Sequence, residues 1–372
     1  MRRLSKPLED GFIMPAEFEH HSGCLMLWPY RKDNWREQAI PAAITFATVA
    51  NLISTSEQVF MGIHHESVEL AQRLLSPRVQ LLDLAYNDSW MRDIGPTFIK
   101  NRSMNQIRAI DWDFNAWGGE KGGLYQNWQK DAKLCEQLLD DLSFTLKDSS
   151  DPISYYKPNV VLEGGAIHVD GKGTLIAVEE CVLNENRNHG ITKKQMESIF
   201  TEYLGIQKTI WLPLGVHNDE TDGHVDNLCC FAPDSCVLLT WTDDENDPQY
   251  PISKQAYDIL SHEKDAQKQP IMVEKIHQPL PLYMSKQELR GLEQGDAKKR
   301  SNSDRLAASY VNFYVSNHAV ILPVFNDRKD THAIKTIQKH FPNRDIIPVY
   351  SREILLGGGN IHCITQQIPG RN

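Results

Sequence analysis

Two octapeptides far apart in this chain, Leu162-Glu163-Gly164-Gly165-Ala166-Ile167-His168-Val169 and Leu356-Gly357-Gly358-Gly359-Asn360-Ile361-His362-Cys363, are identical at five of eight positions. Both follow branched apolar residues, and both carry glycines that let a backbone turn closely beside a central cavity. Self-similarity of this kind is the trace a repeated supersecondary unit leaves.

The surrounding pattern is α/β. Runs rich in branched or aromatic residues predict strands at 59–63, 97–99, 174–178, 228–231, 236–240 and 319–324. Between them, helical spacing of apolar residues predicts helices at 39–54, 67–75, 131–142, 192–204, 253–260 and 330–341, several opening on Ser, Thr or Asp. Residues 261–303 show no clear period, and no linker cuts the chain, so one domain spanning 1–372 is expected. At 372 residues and 41% hydrophobic content such a chain can bury a large core.

Composition removes several classes of function. No apolar run approaches the roughly 20 residues that span a bilayer. Residues 1–15 carry Arg2, Arg3 and Lys6 without an apolar segment or a small-residue cleavage site, so a cytoplasmic protein is expected. Seven scattered cysteines with no CxxC pair argue for reduced thiols, Cys229 and Cys230 reading as buried strand residues. A formal net charge of -10 repels phosphate backbones and mildly favours a cationic small molecule over nucleic acid.

Four segments gather acidic, histidine, glycine or cysteine residues in apolar surroundings: 90–96, 162–165, 221–227 and 357–363. Each alone reads equally well as an ordinary feature: a turn with a satisfied Asp, a glycine turn, a loop histidine, a small buried cysteine. Together they suggest a site. Cys363 follows a strand-like run at 352–356 and three glycines, which argues for an ordered position lining a cavity. A nucleophilic cysteine acts as the thiolate and needs a nearby base or cation, for which His224 is the candidate. His362 is expected on the opposite face of a strand, in a structural role. His217, Asp219, Glu220, Asp222 and His224 are spaced too irregularly for a metal site, and no metal or cofactor is expected.

Trp90-x-Arg92-Asp93-x-Gly95-Pro96, Leu162-Glu163-Gly164-Gly165, Asp222-Gly223-His224-Val225-Asp226 and the run from Gly358 to Gln367 resemble the signatures of agmatine deiminases. Met14-Pro15-x-Glu17-Phe18-Glu19 and the run from Asp111 to Gly119 do so too, extending the resemblance from about Gly11 to Gln367. It implies the pentein fold, an α/β propeller in which five pseudo-repeated ββαβ-type units surround a central active-site channel. The internal echo would then have a cause.

The resemblance also implies roles. Cys363 would attack the guanidinium carbon of agmatine and form a covalent amidino-cysteine intermediate, His224 would shuttle protons, and Glu163 would orient His224. Asp93 and Asp226 would grip the guanidinium, a planar cation with paired donors that calls for paired acceptors. Asp226 lies two residues after His224, so on an extended segment both would point to one site. Glu220 and Trp90 are candidates for the distal amine and methylene chain, because residues 217–226 hold four acids and no Lys or Arg. Arg92 is the contrary sign, although beside Asp93 on an extended segment it should face away. A homo-oligomer, dimer or tetramer, is a family expectation. The alternatives are an arginine or peptidyl-arginine deiminase and, outside enzymes, an amine-binding protein.

Overall fold

Branched side chains pack well on a pleated surface, and each run read as a strand contains or overlaps one, Thr174–Val178 and Ala319–Val324 with the expected ends. In this computed structural model residues 2–371 are described, apart from 4, 142, 143 and 145–152. All six expected helices form, with 253–260 growing into Gln249–His262 and 131–142 into a short turn leading to Leu134–Asp140; Leu142 lies outside the described residues. Lys193–Leu204 shows why such helices are legible. The Thr192 side chain accepts from the Gln195 N–H while the Gln195 side chain accepts from Thr192, and Gly205 at φ 72° closes the far end. Met196, Phe200 and Leu204, four residues apart, bury one face.

Residues 352–356, read as strand-like, form the helix Arg352–Leu356 instead. A short apolar run does not itself distinguish the two states. Here Arg, Glu and Leu are good helix formers, and the first turn is pinned by Arg352 to Glu288 and by Glu353 to Arg36.

Five small sheets share one connectivity. In each, a first strand pairs antiparallel with a second, a helix follows, and a third strand returns parallel to the second. The first strands are Thr97–Asn101, Ile167–Val169, Cys229–Ala232, Tyr314–Val315 and Thr365–Pro369. Their partners are Gln106–Ile110, Thr174–Val178, Cys236–Trp241, Ala319–Val324 and His21–Leu27. The third strands are Tyr155–Tyr156, Lys208–Leu212, Met272–His277, Asp345–Tyr350 and Gln58–Ile63. The fifth sheet joins the last strand, Thr365–Pro369, to His21–Leu27, so segments from the two halves of the chain complete a single unit.

Burial orders the strands within each sheet. Every residue of the five first strands is buried, whereas Met272–His277 and Asp345–Tyr350 are largely exposed or half-buried. Polar turns that lead into the first strands are thereby carried to the interior. The two octapeptides each lead into a first strand, but out of register. Ile167 begins its strand, while Ile361, His362 and Cys363 still lie in the turn before Thr365. No helix among the described residues is long and apolar enough to cross a membrane.

Candidate active site

Each unit supplies the turn before its first strand, and chemistry collects there. Asp93 lies on the single-turn helix Met91–Ile94 and Glu163 caps the turn Gly164–Ala166. His224 and Asp226 open Val225–Leu228, Asn312 precedes Tyr314, and Cys363 precedes Thr365. Residues 92–93 and 224–226 were expected on extended segments; both are helical turns, where side chains two apart do not face one way. His224 still reaches the site because it stands outside the turn, with an extended ψ of 141°.

The side chains meet around a cavity lined by Trp90, Asp93, Trp117, His224, Gly359 and Cys363, among others. Glu163 Oε1 accepts from Arg187 Nε at 2.7 Å, and its Oε2 stands 3.8 Å from His224 Nε2. The other ring nitrogen of His224 is 3.7 Å from Asp93 Oδ2, which accepts from the Trp117 indole at 3.0 Å. Asp93 Oδ1 accepts from the Gly165 N–H at 2.9 Å. Asp226 sits beside the thiol rather than on the wall of this cavity. Its Oδ2 accepts from His362 Nδ1 at 2.9 Å and lies 3.4 Å from Cys363 Sγ, while Oδ1 is buried without a hydrogen-bond partner. Asn312 Nδ2 is 3.3 Å from the sulfur. A Cβ on Gly165 would stand 2.6 Å from His224 Nδ1 and 2.9 Å from a carboxylate oxygen of both Asp93 and Asp226, so this glycine is what lets the three converge.

Charge is strongly redistributed. Burial pushes Asp93 up to about 6, with Asp226 and Glu163 adding to the effect against His224. Burial opposes ionisation of Glu163 as well, but Arg187 and His224 outweigh it and hold the carboxyl at about 2. Asp226 also stays below the usual carboxylate range despite burial, chiefly through His362. His224 is raised well above an ordinary histidine: burial opposes its charge, yet Asp93, Cys181 and Glu163 favour it. Burial and the carboxylates of Asp226 and Asp93 hold the Cys363 thiol far above its usual range, against N–H donation from Asn360 and Asn312.

The remaining expected residues divide. Trp90 lines the cavity, its indole donating to Asp88 at 3.1 Å and its ring 5.1 Å from Trp35. Glu220 does not line that cavity; Arg300 grips its carboxylate at 2.7 and 3.0 Å and also donates to the Gly357 carbonyl. Arg92 is buried on Glu17 at 3.0 Å, away from the cavity, although on a helix rather than a strand. His362 lies in a turn and touches Asp226, which corrects its expected place on the far face of a strand. Among the described residues the ligand-like groups are Glu17, His168 and His362, and Glu163, Cys181 and His224; each carboxylate is already held by an arginine, Arg92 or Arg187. Sequence reasoning missed Arg187 and Asn312 altogether.

The fold and this thiol–imidazole–carboxylate site define the class: the chain belongs to the Porphyromonas-type peptidyl-arginine deiminase family, whose sequence profile matches residues 13–369. Within it the chain is 51% identical, over 98% of both chains, to a candidate agmatine deiminase of Mycoplasma capricolum. It is 48% identical to another from Pectobacterium atrosepticum, over 98% of this chain and 97% of that one. The solved agmatine deiminase of Enterococcus faecalis, captured catalysing its reaction, superposes over the whole of both chains with a TM-score of 0.94 at 36% identity.

Proposed function

We propose that this chain is an agmatine deiminase, a hydrolase that converts agmatine and water to N-carbamoylputrescine and ammonia, which places it in polyamine metabolism. The observation that carries the reading is a buried, unsatisfied acceptor on the carboxylate beside the thiol, Asp226 Oδ1. A guanidinium lying between Asp93 and Asp226 would donate to it, and full-length similarity to agmatine deiminases supports the choice of cation.

The charges suggest an order of events. The groups recorded at the Cys363 sulfur are amides and carboxylates, so the substrate's own cation is what makes the thiolate favourable. The nearest acceptors for the thiol proton are Asp226 Oδ2 and Asn312 Oδ1, both at 3.4 Å. The thiolate attacks the guanidinium carbon. His224, as imidazolium, protonates the departing nitrogen, the C–N bond breaks, and ammonia leaves an amidino group on sulfur. Neutral His224 then takes a proton from water, hydroxide adds to the same carbon, and the C–S bond breaks to return the thiolate. Glu163, fixed by Arg187, keeps the ring charged and oriented. Trp90 would flank the methylene chain, and Glu220 would compensate the distal amine. Residues 1–372 would form one deiminase domain acting in the cytoplasm as a homo-oligomer.

Ammonia release from agmatine, arginine and a blocked arginyl peptide tests the substrate. Agmatine should be preferred by at least about 100-fold in kcat/KM, and a preference for arginine would overturn the reading. Glu220→Gln sharpens it, because that change leaves the Arg300 cation unbalanced at the cavity edge. KM for agmatine should rise about tenfold, and that for arginine should fall. Equal changes in both would remove Glu220 from the specificity argument.

A further inference from the structure

Glu17, His362 and Asp226 form a buried line behind the candidate nucleophile. His362 Nδ1 is 2.9 Å from Asp226 Oδ2, and its Nε2 is 2.9 and 3.0 Å from the two oxygens of Glu17. With a carboxylate at each ring nitrogen, both nitrogens must donate, which only the imidazolium does. The residue is fixed on other sides too: its N–H donates to Asn312 Oδ1 at 3.1 Å, and its carbonyl accepts from Arg92 Nε at 3.4 Å.

The charged and titratable groups around it come from every neighbouring segment. Arg92 also donates to Glu17, His168 stacks on the ring at 6.3 Å, Cys230 borders the same small cavity, and Cys363 is next in sequence. Asp93 provides the internal contrast. It is as buried as Asp226, and its hydrogen bonds come only from the neutral donors Trp117 and Gly165, the His224 ring standing farther off at 3.7 Å; it is pushed up to about 6 while Asp226 stays low.

We propose that His362 is a positioning residue: as an imidazolium braced by Glu17, it keeps Asp226 charged and turned so that Oδ2 is occupied and Oδ1 is left for a substrate N–H. This rests on the deiminase reading. His362→Gln removes the cation, so Asp226 should hold a proton near neutral pH and lose its grip on a guanidinium. KM for agmatine should rise roughly 10- to 100-fold at pH 7. The acidic limb of kcat/KM should move up by about one pH unit, with much of the loss recovered by pH 9. Glu17→Gln should act in the same direction, more weakly.

Agmatine kinetics from pH 5 to 9 on both variants, with melting curves, read these effects. A folded His362→Gln enzyme with the wild-type limb, or with a loss equal at every pH, overturns the proposal. If that variant does not fold, Glu17→Gln decides by the same criteria. Nitrogen NMR of histidine-labelled wild-type protein reads the ring without any turnover. His362 should show two protonated nitrogens up to about pH 8, and a neutral ring there overturns the proposal even if agmatine is processed. Wild-type protein inert on agmatine but carrying the charged ring would instead refute the assigned function.

Discussion

Cys363→Ala is expected to remove agmatine turnover, lowering kcat by on the order of 10⁶, the scale seen when a hydrolase loses its nucleophile, while the fold survives. The side chain is small and lines the cavity, with Asn312 and Asp226 at its sulfur, so its loss should cost only about 1 kcal/mol. No substitute is at hand. Cys181 is raised by burial, Cys24, Cys229 and Cys230 are raised further, and none of them lines the cavity. Ammonia release and a melting curve measure the two halves of the prediction. Mass spectrometry after quenching wild-type protein with agmatine should find an amidino group on the peptide holding Cys363, and the variant should show none. Turnover by the variant above about 1% of wild type would sink the thiol mechanism.

The strands and helices were legible because their signals are local. Branched runs such as 319–324 and the Thr192-to-Gln195 capping pair need only their neighbours to be understood. The turns that carry the site were not. Four-residue helices such as Met91–Ile94 and Val225–Leu228 are too short to display a period, so their residues read as extended. The groups that govern the charges were hidden for a different reason. Arg187 meets Glu163 across 24 residues, Asn312 meets Cys363 across 51, and Glu17 meets His362 across 345. Nothing near Asn312 marks it out, yet it lies shortly before a first strand, as Asp93, Glu163 and Asp226 do in the other units. The absence of Lys and Arg from 217–226 was a sound local observation with the same weakness, because Arg300 reaches Glu220 from 80 residues away.

Glu163→Gln separates the two tasks assigned to that carboxylate, and its effects should be large in both stability and rate. Arg187 is buried and would lose one of its two carboxylates, keeping Asp222 and the carbonyls of Trp117 and Thr221. Breaking a buried pair from one side costs about 3 kcal/mol or more. Because the folded carboxyl titrates at about 2, below its unfolded value, its stabilisation is present above the unfolded pKa and is lost as pH falls through that range toward 2. The variant should therefore start less stable at pH 7 and lose less on acidification. The same charge also favours the imidazolium of His224, which the folded protein holds well above its ordinary range. The alkaline limb of kcat/KM, where that proton is lost, should fall to lower pH in the variant, with kcat down about 10²-fold. Denaturant melts at pH 3, 5 and 7 and rates from pH 7 to 10 would show both shifts. An unmoved alkaline limb in a destabilised variant would confine Glu163 to holding Arg187 and leave the charge of His224 to Asp93.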